Sequence, residues 1–110
     1  FGARRAYQMD YARRHEWRQE MERDIAQGAD SLIVKPGVAY LDILHQMSQA
    51  SSVPVGAYHV SGEYSMLHAA AEKGLVDLKA ATHEHLTALK RAGAEFIITY
   101  ATQVLFGGDT

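Results

Sequence analysis

Lys35 is the residue best placed to act as a nucleophile. It follows Ser31-Leu32-Ile33-Val34, a short apolar run with β character, and is followed at once by Pro36-Gly37. Proline biases the residue before it towards extended backbone, and a Pro-Gly pair turns the chain. The lysine stem is therefore predicted to pack at the end of a buried strand, with its amine at the strand's carboxyl end. Where strands alternate with helices, that end is where ligands bind. A lysine that handles a carbonyl acts most simply by forming a Schiff base. The ordinary lysine pKa of about 10.4 keeps the amine protonated, so such chemistry needs desolvation or a second cation nearby. Tyr58 ends a second predicted strand with Ser61 just beyond it, and Tyr100 ends a third. Their hydroxyls suit a carboxylate. The alternative is a surface lysine closing a strand; the convergence of an amine, two phenols and a hydroxyl at three strand exits argues for a site.

The elements that must position these groups follow from periodicity. Residues 1–9 show neither a helical nor a strand period and read as a loop. Asp10 is a plausible N-cap for a helix over 12–27, where Trp17, Met21 and Ile25 recur every four residues and Gly28 supplies the end. After the strand 31–34 comes a helix over 40–48 with Leu41, Leu44 and Met47 as its apolar stripe. A strand over 53–58 tolerates Pro54 near its start. Ser61 is expected to cap a helix to residue 73, with Tyr64, Leu67 and Ala71 inward, and Gly74 to end it. Asp77 caps a further helix to residue 91, anchored by Leu78, Leu86 and Leu89, before the strand 95–100. In the tail 101–110, Gly107-Gly108 breaks any helix that starts. A partial repeat runs through this plan: Gln27-Gly28-Ala29-Asp30 leads into 31–35 as Ala92-Gly93-Ala94-Glu95 leads into 96–100. Lys35 and Tyr100 thus occupy equivalent exits. Strands separated by helices pair in parallel, so the three exits share one side.

Composition narrows the function classes. The chain has 110 residues, 47% apolar and 22% charged, with a formal net charge of −2, which gives no reason to expect nucleic acid or an anionic membrane as partner. No apolar run approaches the ~20 residues of a membrane span, and no signal peptide opens the chain. With no cysteine there is no disulfide framework and no thiolate metal site, as in a cytosolic protein. No glycine-rich phosphate loop precedes a helix. Of six histidines, His83 and His85 lie two apart on a predicted helix and face different ways. His15, His45 and His68 fall on helix surfaces, which leaves His59 near the strand exits. A chain that opens on Phe1-Gly2-Ala3 reads as a piece of something longer, or a processed form.

Several blocks together resemble the porphobilinogen synthase (δ-aminolevulinate dehydratase) family: Phe1-Gly2 with Arg4-Arg5 and Tyr7-Gln8; Gln27-Gly28-Ala29-Asp30; Val34-Lys35-Pro36-Gly37 with Tyr40-Leu41-Asp42; Ala57-Tyr58-His59-Val60-Ser61-Gly62-Glu63; and Lys90-Arg91-Ala92-Gly93-Ala94 with Ile97-Ile98-Thr99-Tyr100. The resemblance covers nearly the whole chain in order and corresponds to the C-terminal third of the family's polypeptide. It implies an α/β fold in which residues 1–110 form the C-terminal part, about three β/α units, of a single (β/α)8 TIM-barrel catalytic domain. It implies a homo-oligomer, typically an octamer, that condenses two molecules of 5-aminolevulinate to porphobilinogen in tetrapyrrole synthesis. Lys35 falls on the Schiff-base lysine. Ser61 and Tyr100 fall on residues binding the first substrate's carboxylate, Arg4 and Gln8 on residues holding that of the second, and Tyr58 lines the same pocket. Glu20 falls where many bacterial members hold an allosteric magnesium through a water shell; the plain reading is a surface acid beside Arg23. A catalytic zinc or magnesium site, the second active-site lysine, a further arginine and the lid are expected upstream of Phe1, so the isolated chain is expected to be inactive. Ala3 replaces a common acid, and the tail 104–110 departs from the family pattern. A cytoplasmic location is expected, or a plastid in a plant or alga. Two rivals stand beside this reading: a class I aldolase-like barrel sharing a strand-end lysine, and a non-catalytic interaction module.

Overall fold

The computed structural model describes residues 4–7, as backbone, and 16–102. Its elements are β1 (Arg4–Tyr7), α1 (Glu16–Ala26), β2 (Ser31–Val34), a 3-10 turn (Val38–Tyr40) leading into α2 (Leu41–Ala50), β3 (Val55–His59), α3 (Ser61–Glu72), α4 (Leu78–Ala92) and β4 (Ile97–Thr99). The four strands form one parallel sheet in the order β1-β2-β3-β4.

β1 corrects the expectation of a loop over residues 1–9. Arg4-Arg5-Ala6-Tyr7 has no apolar run, but its backbone pairs residue for residue with Ser31-Leu32-Ile33-Val34. A strand can be held by its ladder when its side chains give no period. The strands expected over 53–58 and 95–100 start later, at Val55 and Ile97, and end on His59 and Thr99. Asp10 and the tail beyond residue 102 lie outside the described residues.

The parity of the strands sorts the sheet into two faces. Leu32, Val34, Val55, Ala57 and Ile97 are in register on one face and join a single core with Trp17 and Met21 of α1, Ile43, Leu44 and Met47 of α2, and Leu89 of α4. On α1, Trp17 and Met21 are buried, and the Arg18 guanidinium lies 4.9 Å from the Trp17 ring centroid. On the other face, which carries Ile33, Gly56 and Ile98, Phe96 fills the space over Gly56. All the helices that join this core lie against the same face of the sheet.

The sequence repeat is structural. Gly28 ends α1 with φ +97° and Gly93 ends α4 with φ +122°, a left-handed conformation that only glycine adopts readily. Each then feeds its strand through an alanine. Asp77 caps α4 as expected, its Oδ1 accepting the Ala80 N–H at 2.9 Å. The start of α3 differs from expectation. Val60, not Ser61, occupies the N-cap, and Glu63 accepts the Val60 N–H at 3.1 Å. Ser61 is the first helical residue and is exposed.

Candidate functional site at the strand exits

Because the strands are parallel, the carboxyl ends of β2, β3 and β4 lie side by side. Lys35 follows β2 and is half-buried, with a cis peptide bond to Pro36. By parity it follows Ile33 on the face away from the helix-packed core, and Tyr58 and Tyr100 follow Gly56 and Ile98 there. The two phenols meet: their oxygens are 2.9 Å apart and their ring centroids 6.2 Å. That bond first, then desolvation, holds Tyr58 above the ordinary tyrosine value, so the phenol stays neutral at neutral pH. Tyr100 is 55% exposed. A hydrogen-bonded pair of phenols and a lysine at neighbouring strand exits offer hydroxyl donors for a carboxylate and an amine for a carbonyl.

The opposite face of the same exits holds groups that sequence reasoning did not join. His59 is fully buried; its Nδ1 lies 3.0 Å from Thr99 Oγ1 and its Nε2 3.1 Å from His85 Nδ1, the two rings meeting edge to face. Thr99 Oγ1 also accepts the Ala101 N–H at 3.0 Å. Burial, then the neighbouring His85, lowers the His59 pKa and favours the neutral ring. Its two nitrogens tie β3 to β4 and to α4. Glu63 is buried too, its Oε2 accepting the Val38 N–H at 3.0 Å; desolvation raises its pKa, against the opposing pull of its Val60 and Val38 N–H bonds and of His85.

Among the described residues, two surface hollows bear on the question of the site. One of about 330 Å³ is lined by Pro36, Val38, Val60, Glu63, Met66 and His85, beside the β2 and β3 exits. The other, about 620 Å³, lies between α1 and α2 against Trp17, Arg18, His45 and Gln49. None of the exit residues lines the larger hollow, so its size does not make it the site.

The remaining expected positions are less gathered. Arg4 opens β1, paired with Ser31, and Gln8 lies outside the described residues. Glu20 stands half-buried on α1. Among the described residues no three His, Cys, Asp or Glu side chains come together as metal ligands. A single carboxylate fits only a magnesium ion that keeps most of its water shell.

A parallel α/β sheet with chemically active groups collected at its strand exits defines the class: an α/β protein built in the manner of carboxyl-end ligand sites. The family model described as "ALAD: Delta-aminolevulinic acid dehydratase" matches residues 1–106, and the chain belongs to that family. A delta-aminolevulinic acid dehydratase of Staphylococcus aureus is 48% identical over 104 residues, covering 94% of this chain and 32% of its own length. One from Streptomyces coelicolor is 53% identical over 104 residues with the same coverage. The crystal structure of the Toxoplasma gondii enzyme, in complex with the reaction product porphobilinogen, superposes with a TM-score of 0.84 at 48% identity, over 89% of this chain and 28% of that one. The chain therefore spans about a third of the length of the curated relatives it matches.

Proposed function

We propose that these residues form a sector of a (β/α)8 barrel that condenses two molecules of 5-aminolevulinate to porphobilinogen. The observation that carries the reading is the arrangement of the sheet: sequential parallel strands, core helices on one face, and Lys35, Tyr58 and Tyr100 at the exits on the other. An open doubly wound sheet reverses its strand order and carries helices on both faces. A barrel sector does neither.

In this reading Lys35 Nζ attacks the ketone of the first substrate and water leaves as the Schiff base forms. Ser61 and Tyr100 hold that substrate's carboxylate, and Tyr58 lines the pocket while its bond to Tyr100 orients both phenols. Arg4 and Gln8 bind the second substrate's carboxylate. Glu20 holds a water-shelled magnesium that acts on assembly, and any catalytic zinc or magnesium draws its ligands from the rest of the polypeptide. When bound, such a metal supplies Lewis-acid activation of the second substrate. The working form is a homo-oligomer, an octamer by family habit, in the cytoplasm or a plastid. Residues 1–110 act as part of one catalytic domain.

The experiment is turnover by a full-length family polypeptide carrying these 110 residues. Pyrrole formation from 5-aminolevulinate, lost in Lys35→Ala, is expected. Cleavage of aldol substrates without pyrrole formation would favour the class I aldolase reading, and no turnover of either would favour a non-catalytic module.

A further inference from the structure

Two strand exits meet on one carboxylate. Glu63 is the third residue of α3 and only 6% exposed. Its Oε1 takes the Val60 N–H at 3.1 Å, a local bond that closes the start of the helix. Its Oε2 takes the Val38 N–H at 3.0 Å, across 25 residues, in the turn that begins at Lys35. Capping needs only the first bond.

The second bond has a neighbour. The Gly37 N–H donates to the Tyr58 carbonyl at 3.0 Å, so two successive amides of the Lys35 turn are held by the β3–α3 segment. The turn is also pressed close: a Cβ on Gly37 would stand 2.6 Å from Leu89 Cδ2 and 3.2 Å from Ala57 Cβ. An ionised carboxylate accepts two N–H bonds and donates none, which neither a hydroxyl nor an amide side chain does. Burying that charge is unfavourable unless it is hydrogen-bonded, and here both oxygens are.

Resting on the function proposed above, we infer that Glu63 is a positioning residue: it locks the Lys35 turn to the start of α3, fixing the lysine amine relative to the Ser61 hydroxyl. The substrate's carboxylate and ketone are a fixed distance apart, so the carboxylate-binding group and the nucleophile must be as well. Reaction geometry is sensitive at this scale, since a displacement of about 1 Å costs on the order of a hundredfold in rate.

The test uses the full-length polypeptide with two variants and a control. Glu63→Gln keeps the shape but puts an NH2 group against one of the two N–H donors. Val38→Pro deletes the long-range donor and leaves the carboxylate and the helix cap. Because it also disfavours the αR backbone of Gly37 (φ −72°, ψ −47°) and removes a side chain packed on the core, Val38→Ala, which keeps the N–H, is measured beside it and is expected to trap at the wild-type rate. A wild-type rate in Val38→Pro therefore decides against the positioning role even where the Gln variant does not accumulate. Two quantities are measured: the rate of borohydride-trapped adduct at Lys35 with 5-aminolevulinate, and the affinity for 5-aminopentanoate, which has the carboxylate and amine but no ketone. Trapping is expected to slow about ten- to a hundredfold, with 5-aminopentanoate affinity within about twofold of wild type. That split is one that general damage to the fold would not give. A wild-type trapping rate in Val38→Pro overturns the positioning role alone, as does a loss of affinity in step with trapping. No Lys35 adduct in the wild type removes the underlying functional reading, and the inference with it.

Discussion

Tyr58 and Tyr100 come from strands 42 residues apart in sequence and share one hydrogen bond at 2.9 Å, so each phenol orients the other. Removing the Tyr100 hydroxyl should cost the proposed bond to the first substrate's carboxylate. A hydrogen bond to a charged group is worth about 1.5–3 kcal/mol. Tyr100→Phe and Ser61→Ala should each weaken first-substrate binding roughly ten- to a hundredfold, read as the concentration dependence of Lys35 trapping. Arg4→Ala and Gln8→Ala should leave trapping intact and block pyrrole formation. Arg4→Ala abolishing trapping as fully as Ser61→Ala would merge the two subsites. The places of Lys35, Tyr58 and Tyr100 at the strand exits were legible because each ends an apolar run. Glu63 was not: with Ser61 taken as the cap, the residue three along is Tyr64, and the helix starts one residue earlier than that pattern implies. The His59–His85 contact was equally hidden, because sequence spacing on α4 fixes which way His85 faces only once the helix is docked.

At the scale of elements, β3, β4 and α4 are joined through His59, a buried ring that bonds Thr99 and His85 at once. The charged groups bearing on it are His85 on α4 and, through His85, Glu63 on α3. Its folded pKa is lowered, so the folded state binds fewer protons than the unfolded one near the unfolded value of 6.5. Stability should therefore be full above about pH 6.5 and fall as pH drops from there through the folded pKa. Glu63 has the opposite sign. Its pKa is raised from 4.5, so its ionised form costs stability above the folded value, and that cost is relieved as pH falls towards 4.5. Urea titrations of the full-length polypeptide between about pH 7.5 and about pH 5 should show the histidine loss, and His59→Gln should flatten it. An unchanged slope in the variant would assign the loss elsewhere. The helices and the three apolar strands were readable from period and glycine ends. β1 was not, because its evidence lies in the partner strand's backbone and not in its own side chains.

For the whole molecule, β1 covers one edge of β2, so among the described residues the outer strands are β1 and β4. Four parallel strands still do not close a barrel, and open edges invite pairing with other chains. Residues 1–110 expressed alone should self-associate, unfold without a sharp transition and form no porphobilinogen; a monodisperse monomer with a cooperative melt would contradict the structural part, and turnover the catalytic part. The barrel was expected through resemblance alone, since sequential β/α units are equally compatible with an open sheet. The proposed chemistry begins at Lys35. Incubating the full-length polypeptide with 5-aminolevulinate and borohydride, then mapping the modified peptide by mass spectrometry, should place the reduced substrate on Lys35, with the adduct gone in Lys35→Ala. Labelling that persists unchanged in Lys35→Ala would contradict it.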